Sequence, residues 1–497
     1  MRATVKPNHP QETHLDDAVI IGSGPNGLAA AVTLARAGLR VRVLEAAPSI
    51  GGAARTLPLT IDGYRHDVGA AVHPLALASS FFRAFQLDRR VSFAIPEVSY
   101  AHPLAGSRGG LAYRSLQRTA AQLGKDGTAW RHLLGPLAAH IDEISDFTAK
   151  QMLRVPRYPV SAIRFALRAL EQGGPAWDLR FREDTAPALL TGVMAHNIGR
   201  LPSLPSAAVG LVLAGHAHAR GWPVPIGGTQ SIIDAMADDV RAHGGIIEAG
   251  VEVQSLRELA GASVVIANTS AKGLARIGAG LLPDQYVRRL GRFRYGNGVA
   301  KVDYALSEQV PWSFPGARLS PTVHLGGTRR NMQLAERAVA SSDRSKTPYI
   351  LVSQPTIVDP TRAPRGRHTL WAYMHVPASS PHDPTDIITR AIESHAPGFR
   401  DTILASRSHS ATQLETIDAN LVGGDISSGE ISMTQLLSRP VLSPRPWATP
   451  VRGVYLASSS TPPASGVHGL AGYYAAVLAL KQVHGLDSPP LGLGTER

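Results

Sequence analysis

Three closely spaced glycines near the start of the chain form the pattern with the clearest chemistry. They follow a short apolar run, in the order Gly22-Ser23-Gly24-Pro25-Asn26-Gly27, and a stretch of helical character comes next. Glycines at this spacing permit a tight turn, a close approach of backbone to a pyrophosphate, and close packing of helix on strand. The N-terminus of such a helix offers unpaired N–H groups to phosphates. Glu45 ends a second predicted strand about 20 residues further on, where a carboxylate accepts hydrogen bonds from a ribose. The segment predicts a dinucleotide site.

A second pair of glycines, Gly51 and Gly52, follows the acidic end of that second strand. A plain NAD-binding fold has no need of this pair. A longer cofactor that folds back on itself does, because backbone must pass beneath it. After a short β ribbon, Gly69-Ala70 supplies another position where backbone can come close to a ligand. These glycines favour a larger, folded-back dinucleotide.

Lys301 is the candidate for chemistry outside the glycine motifs. It lies inside the apolar strand Gly298-Val299-Ala300-Lys301-Val302-Asp303-Tyr304, where a lysine is costly unless it is paired. A functional lysine with a perturbed pKa is one explanation. The alternatives are an edge strand on which Lys301 faces solvent, or a salt bridge with Asp303.

The composition narrows the class of protein. The 497 residues suffice for at least two domains, and 44% hydrophobic with 18% charged residues is typical of a globular protein. The absence of cysteine excludes disulfides, thiolate metal sites and a redox-active cysteine pair, so any electron transfer must use a bound cofactor. His216 and His218 are spaced like weak metal ligands, but no carboxylate-rich partner supports them, and no metal is expected.

The charge and hydropathy patterns indicate where the protein works. The formal net charge is +12, yet the arginines are scattered, and no nucleic acid partner is expected. No apolar run approaches the length of a membrane span. Residues 1–16 lack the apolar core of a secretion signal and are expected to be a loose tail, and residues after Gly485 are expected to be disordered. The protein is expected to be cytoplasmic.

Repeated strand–helix units must position these groups. A second Rossmann-type piece begins at Gly227-Gly228 and contains predicted strands at 246–248, 251–253 and 263–268. Near the C-terminus a strand at 453–461 leads to Gly466-Val467-His468, which opens a predicted helix. This arrangement can place a second helix N-terminus against the cofactor.

In combination, these stretches resemble flavoproteins of the phytoene desaturase and amine oxidase group. The likeness is greatest to the phytoene dehydrogenase-related branch that includes pyridine nucleotide-disulphide oxidoreductase domain proteins. The matching stretches are DAVIIGSGPNGLAAA (17–31), EAAPSIGGAART (45–56), GYRHDVGAAVHPL (63–75), GWPVPIGGTQSI (221–232), NLVGGDISSGEISMTQLLSRP (420–440) and GVYLASSSTPPASGVHGLAGYYAA (453–476). The first motif is generic, whereas the last is specific to this branch.

The resemblance implies non-covalent FAD. The first glycine loop would hold the pyrophosphate, Glu45 the adenosine ribose and Val253 the adenine. Ser459 stands where many relatives carry an acidic residue, and Val467 would bring a backbone N–H to the flavin. The residues expected to bind the cofactor are Gly22, Ser23, Gly24, Pro25, Asn26, Gly27, Glu45, Ala46, Gly51, Gly52, Ala53, Arg55, Gly69, Ala70, Val253, Ser459, Gly466, Val467 and His468.

The resemblance also supplies catalytic candidates. Lys301 resembles the lysine that holds a water near flavin N5 in amine oxidases and helps oxygen react. His73 follows a segment expected near the isoalloxazine, and His468 lies at the C-terminal helix, so either could relay a proton. The simpler alternative for each histidine is a capping or packing role. The usual glycine-rich run is replaced here by Ala464-Ser465-Gly466, which puts the substrate in doubt more than FAD.

The expected function is dehydrogenation of a C–C or C–N bond in a largely apolar small molecule, with oxygen or a quinone as electron acceptor. One alternative is a flavin-dependent polyene isomerase or saturase without net oxidation. Another is a non-catalytic escort protein that binds lipids or prenyl groups on the same fold.

The expected fold is α/β, with a Rossmann-like FAD-binding domain and an α+β substrate domain of mixed sheet and helices. The FAD-binding domain is expected in three segments and the substrate domain in two. The expected FAD-binding segments are 16–80, 226–285 and 435–490, and the substrate segments are 81–225 (mainly helical) and 286–434 (sheet).

A basic amphipathic stretch at 154–172 is a candidate for peripheral membrane contact. It carries Arg157, Arg164 and Arg168 beside Phe165 and Leu167. A lipophilic substrate would make such contact useful. The alternative is an ordinary surface helix that packs on its own domain.

Overall fold

The computed structural model describes residues 16–343 and 347–494. The predicted loose tail therefore falls, except for its last residue, outside the described residues. Among the described helices, none combines the length with the apolar character that crossing a bilayer requires.

The strands vary from two-residue ribbons to long central strands. They are β1 Ala18–Ile21, β2 Val41–Glu45, β3 Thr56–Leu57, β4 His66–Asp67, β5 Phe93–Ala94, β6 Val98–Pro103, β7 Gly109–Tyr113, β8 Val224–Pro225, β9 Ile246–Ala249, β10 Val264–Ala267, β11 Gly298–Leu306, β12 Thr322–Leu325, β13 Ile350–Ser353, β14 His368–Val376, β15 Ile403–His409 and β16 Val454–Leu456.

The α-helices lie between and around these strands. They are α1 Pro25–Arg36, α2 Ser80–Ala84, α3 Leu116–Gln122, α4 Gly127–Ala139, α5 Ile141–Thr148, α6 Pro159–Gly173, α7 Thr185–Met194, α8 Leu204–Ala219, α9 Gln230–Ala242, α10 Ala271–Ile277, α11 Asp284–Gly291, α12 Arg329–Ala340, α13 Thr385–His395, α14 Phe399–Thr402, α15 Ala411–Ile417, α16 Met433–Leu437 and α17 Leu470–Ala479.

A parallel sheet in the order β16-β10-β1-β2-β9 is assembled from three separate stretches of the chain. Its inner strands β1 and β10 read as continuous apolar runs because both faces of the sheet are covered. Ile20 and Val43 pack with α1, α9 and α17 on one face, whereas Val19 and Val265 pack with α10 and α11 on the other.

A second sheet, in the order β15-β11-β14-β13-β12-β6-β7, is antiparallel except for the pairing of β12 with β6. Successive side chains point to opposite faces. Leu351 and Tyr373 face a cluster with α4, α7 and α8, while Val352 and Ala372 face a cluster with α13. The two sheets confirm the predicted α/β fold class with a mixed second sheet.

The prediction of disorder after Gly485 is wrong for the described residues 486–494. Leu491 is buried against the parallel-sheet core. Arg36 Nη1 donates to Gly492 O at 2.8 Å, and Leu493 N donates to Gln86 Oε1 at 2.9 Å. The buried Leu491 and hydrogen bonds to distant residues hold this segment, and these contacts are not visible as a sequence pattern.

Candidate functional site

A large cavity extends from the carboxyl end of the parallel sheet to one face of the mixed sheet. Its volume is about 1110 Å³, slightly above the range of ordinary ligand pockets. Gly22 and Glu45 line one end, and Lys301 and Tyr373 line the other. Ligands of open α/β folds bind at this edge of the sheet.

Most of the residues predicted for the site line this one cavity. The lining residues among them are Gly22, Gly24, Pro25, Asn26, Glu45, Ala46, Gly52, Ala53, Arg55, Gly69, Ala70, His73, Val253, Lys301, Ser459, Gly466, Val467 and His468. Ser23, Gly27 and Gly51 do not reach it. The cavity is therefore built from segments that are hundreds of residues apart in sequence.

The glycines of the first loop serve different purposes. Gly22 has a φ of +89°, which favours glycine. Gly24 is the N-cap of α1 with an ordinary φ of −64°, and a Cβ there would meet only the Asn268 side chain, at 3.0 Å. A Cβ on Gly27 would lie 2.0 Å from Gly22 O. Gly27 is thus required by packing, whereas Gly24 leaves the cavity open beside the N-terminus of α1.

Ser23 positions the acidic residue rather than lining the cavity. Its backbone N and its hydroxyl both donate to Glu45 Oε2, at 2.8 and 2.6 Å. Ala47 N donates to Glu45 Oε1 at 2.9 Å, and Gly51 N donates to Ser23 Oγ at 3.0 Å. These bonds fix the carboxylate at the cavity wall and tie the second glycine pair to the first loop.

Two residues that the sequence analysis did not single out belong to this end of the site. Asn268 follows β10, and in the amide orientation that satisfies both groups it accepts from Gly27 N at 3.2 Å and donates to Ala457 O at 3.1 Å. Asp418 lines the cavity, and burial raises its pKa. Asn268 could have been found because it directly follows a strand of the parallel sheet, at the same edge where Glu45 ends one; Asp418 carries no such signal.

The adenine-side segment differs from its prediction. Residues 251–253 were expected to form a strand, but they are irregular. Val251 N donates to Glu45 O at 2.8 Å, and Gly250 N donates to Ala47 O at 2.9 Å. Val253 is nevertheless buried and lines the cavity.

His468 braces a turn and does not open the last helix. α17 begins at Leu470, with Gly469 as its N-cap. The His468 ring accepts from Leu470 N at 3.1 Å through Nδ1, so Nε2 carries the proton and donates to Ala464 O at 3.2 Å. Burial lowers the pKa of His468 to about 4, so the ring is neutral at pH 7. Both nitrogens serve the turn at 464–470.

His73 is also neutral, and its tautomer can be assigned. The Thr229 hydroxyl donates to Ala70 O at 2.7 Å, so it accepts from His73 Nε2 at 2.8 Å. Burial lowers the pKa of His73 to about 4. The ring lines the cavity with Nδ1 as its remaining acceptor.

Lys301 is buried and all of its donors are used. Its ammonium donates to Asp67 O at 2.7 Å, to Val68 O at 3.2 Å and to Asp303 Oδ1 at 2.8 Å. An ammonium has three hydrogens. Burial raises the pKa of Asp303, whose side chain is fully enclosed. The salt bridge between Lys301 and Asp303, one of the alternatives predicted from the sequence, is present. Lys301 also lines the cavity.

The far end of the cavity is largely apolar. Phe165 of α6 and Val212 and Leu213 of α8 face Leu351 and Trp371 of the mixed sheet. An apolar chamber thus continues directly from the glycine loop. In the described residues, no group of three or more histidines and carboxylates is arranged to hold a metal.

Comparison with known proteins agrees with this architecture. Residues 20–85 match the family described as NAD(P)-binding Rossmann-like domain. The chain is 26% identical to pyridine nucleotide-disulfide oxidoreductase domain-containing protein 2 of Rattus norvegicus over 94% of each chain. It is 25% identical to phytoene dehydrogenase of Streptomyces griseus, over 79% of this chain and 78% of that protein.

A solved structure shares the fold at low identity. A triple mutant of putrescine oxidase superposes with a TM-score of 0.58 at 16% identity, covering 95% of this chain and 99% of the other. The glycine loop, the C-terminal strand–turn–helix and these full-length similarities agree with one another. The chain is therefore similar over most of its length to a pyridine nucleotide-disulfide oxidoreductase domain-containing protein and to a phytoene dehydrogenase, and it shares the fold of the putrescine oxidase structure.

Proposed function

We propose that the protein is an FAD-dependent oxidoreductase that removes a hydride from a C–C or C–N bond of a largely apolar small molecule. The observation that carries this proposal is the continuity of one cavity from Gly24 and Glu45 to the apolar chamber. A dinucleotide site alone would also suit an NAD(P) enzyme. Here the dinucleotide site opens into an apolar chamber beside a second helix N-terminus. This arrangement fits a cofactor whose reactive ring lies at the chamber.

The residues present fit FAD. The N-terminus of α1 beside Gly24 would hold the pyrophosphate, and Glu45 the adenosine ribose. Val253 would contact adenine through its backbone, and Val467, just before α17, would approach the flavin ring. The chain has no cysteine for a thioether link, which favours non-covalent binding. Bound FAD would supply the hydride acceptor, with oxygen or a quinone taking the electrons onward.

The protein's own groups bind, orient and shield the substrate. Phe165, Leu351 and Trp371 exclude water from the chamber. The N-terminus of α17 favours negative charge near Val467. Lys301 fixes the wall at 67–68 to β11, since its three bonds join those two segments.

The visible absorption spectrum of the freshly purified protein tests the proposal. A two-band oxidised-flavin spectrum that passes into the supernatant on heating supports non-covalent FAD. Bleaching on anaerobic addition of a substrate then supports hydride removal. Turnover that requires added reductant, without net electron consumption, would instead indicate the isomerase alternative. A colourless protein that rejects added FAD overturns the proposal and favours the escort protein.

A further inference from the structure

One wall of the chamber carries polar groups that the protein does not satisfy. On the face of the mixed sheet that borders the cavity, Thr322 of β12 lies opposite Ser353 of β13, and Ser353 lies opposite Trp371 of β14. The neighbouring row places His324 opposite Leu351, and Leu351 opposite Tyr373. Ser353 Oγ and Trp371 Nε1 have no hydrogen-bond partner in the described residues. Because a buried polar group that is left unpaired destabilises the fold, such a wall is suited to a ligand with polar atoms.

His196 reaches the same chamber from the end of α7. It lines the cavity, and its Nε2 lies 3.0 Å from Nε2 of His324, which is fully buried. Trp222 packs edge-on against the His196 ring with centroids 5.9 Å apart. The imidazole is therefore held in place on two sides.

The position of the protons in this pair follows from His324. Its Nδ1 has no partner in the described part of the chain, and a Cβ on Gly192 would lie 2.8 Å from it. An orphaned buried N–H is rarer in proteins than an unused acceptor. The His324 proton is accordingly assigned to Nε2, from which it donates to His196 Nε2. His196 must then carry its own proton on Nδ1.

Both rings are neutral at pH 7. Burial, with a smaller contribution from His375, lowers the pKa of His196 to about 3. Burial and the neighbouring histidines hold the pKa of His324 well below its usual range. His196 Nδ1–H has no hydrogen-bond partner among the described residues, so it is a donor available to a ligand.

We propose that the His196–His324 pair anchors an acceptor oxygen of the substrate, which is therefore an oxygen-bearing apolar molecule (a ketone, an alcohol or a carboxylate) and not a pure hydrocarbon. The proposal rests on the proposed function, because it assigns the substrate class of the same chamber. His324 acts as a positioning residue that fixes the tautomer of His196, and His196 contacts the ligand. Leu351 and Val212 contact the apolar remainder.

Ligand titration of the FAD-loaded protein tests this assignment with 2-decanone and decane, which differ in one oxygen. Binding is followed by perturbation of the flavin spectrum and by thermal shift. The wild-type protein should bind 2-decanone about fivefold to tenfold more tightly than decane, the effect of one hydrogen bond to a neutral donor. Decan-1-ol and decanoate, measured in parallel, show which oxygen group is preferred.

A matched pair of variants at position 196 separates donation from packing. His196→Leu should lose the preference for 2-decanone and retain decane binding. His196→Asn, whose amide N–H can replace Nδ1–H, should recover part of the preference. Equal affinity for the two ligands in the wild type, binding of neither, or an unchanged preference in His196→Leu overturns the proposal. A protein without FAD overturns the proposed function instead, and thermal shift of that apo protein still measures the oxygen preference.

Discussion

Gly24 and Gly27 differ in what a Cβ atom would meet, so replacing them should have different consequences. The side chain added by Gly24→Val would meet only the Asn268 side-chain amide, which can move, and residue 24 has an ordinary φ. We expect the apo protein to keep its melting temperature within about 2 °C and FAD affinity to fall at least about tenfold. In contrast, Gly27→Ala forces a Cβ to within 2.0 Å of Gly22 O, so it should lower stability by about 1–3 kcal/mol.

Urea unfolding of the two apo proteins, combined with FAD titration, checks this difference. Gly291→Ala serves as the control, because Gly291 lies in α11 outside the left-handed region and a Cβ there would meet nothing. If Gly24→Val unfolds as readily as Gly27→Ala, the space beside Gly24 is needed for folding and not for a ligand.

Lys301 offers a contrast between a structural and a water-holding role. Lys301→Met removes three donors and leaves Asp303 buried without its cation. Breaking one partner of such a pair costs about 3–5 kcal/mol. We expect a loss of this size in urea unfolding at pH 7, and partial recovery in the double variant Lys301→Met/Asp303→Leu, which buries no unpaired charge.

The outcome distinguishes the two roles. If Lys301 only held a water near the flavin, Lys301→Met would leave stability unchanged and would slow reoxidation of the reduced protein by oxygen. Slow reoxidation together with unchanged unfolding would therefore contradict the structural role.

At the level of elements, local signals predicted β1, α1 and β2 because turn, helix and strand patterns follow one another without a break. The start of α17 was placed too early because Gly469, in the left-handed conformation, delays the helix until Leu470. Strands β6 and β7 lie within a largely helical stretch; they pair with each other, and β6 joins them to the mixed sheet by pairing with β12. Pairing partners more than 200 residues away leave no local pattern.

Helix α6 has two apolar faces. Phe165 on its inner face lines the cavity, while the stripe Val160, Ile163, Leu167 and Leu170 on its outer face is 55–66% exposed. These outer residues recur at helical spacing, and Val155, just before the helix, is 89% exposed. Contiguous apolar surface of this kind marks an interaction site.

We propose that the outer face of α6 lies on an anionic lipid surface. Arg157 and Arg164 border the stripe, and the only carboxylate within α6, Glu171, is ion-paired with Arg180. A basic rim around an apolar stripe complements anionic headgroups above acyl chains. An apolar substrate could then pass from the lipid toward Phe165 without crossing water.

Sedimentation with vesicles tests this surface. Wild-type protein should bind vesicles containing phosphatidylglycerol, and bind less to pure phosphatidylcholine. The double variant Ile163→Asp/Leu167→Asp should reduce binding at least about tenfold, whereas Leu404→Asp, at an exposed leucine of β15, should not. Binding unchanged in the double variant would contradict the proposal, and so would a stable dimer that this variant dissociates.

For the whole molecule, the site depends on contacts between segments that are far apart in sequence. Asp67 accepts from Thr229 N at 2.9 Å and from Arg362 Nη1 at 2.7 Å, and Arg362 Nε donates to Asp359 at 2.6 Å.

The presence of a dinucleotide end was predictable, because its glycines are contiguous in sequence. The polar wall and the His196–His324 pair were not, because they arise from strand register and from the end of α7 meeting β12.

The same burial of histidines should make the whole protein sensitive to mild acid. Burial is the leading cause that lowers the pKa of eight histidines to about 4 or about 3: to about 4 for His73, His102, His216, His218, His409 and His468, and to about 3 for His66 and His196. In the unfolded chain each takes up a proton near pH 6.5. Between pH 6.5 and about 4 the unfolded state therefore binds more protons, and stability falls as pH falls.

The size of this effect is comparable to the stability of a folded protein. At pH 5.5 each such histidine destabilises the native state by about 1.4 kcal/mol, so the eight together cost about 11 kcal/mol, within the about 5–15 kcal/mol that folded domains possess. We expect full stability above pH 7 and unfolding near pH 5.5, measured by urea unfolding at half-unit steps of pH. His216→Gln should weaken the pH dependence by about one histidine's share, whereas His382→Gln, at an exposed position, should leave it unchanged. Equal stability at pH 7.5 and pH 5 would contradict this prediction. It would mean that these rings gain protons in the folded protein, and the His196–His324 pair could do so only by opening to water.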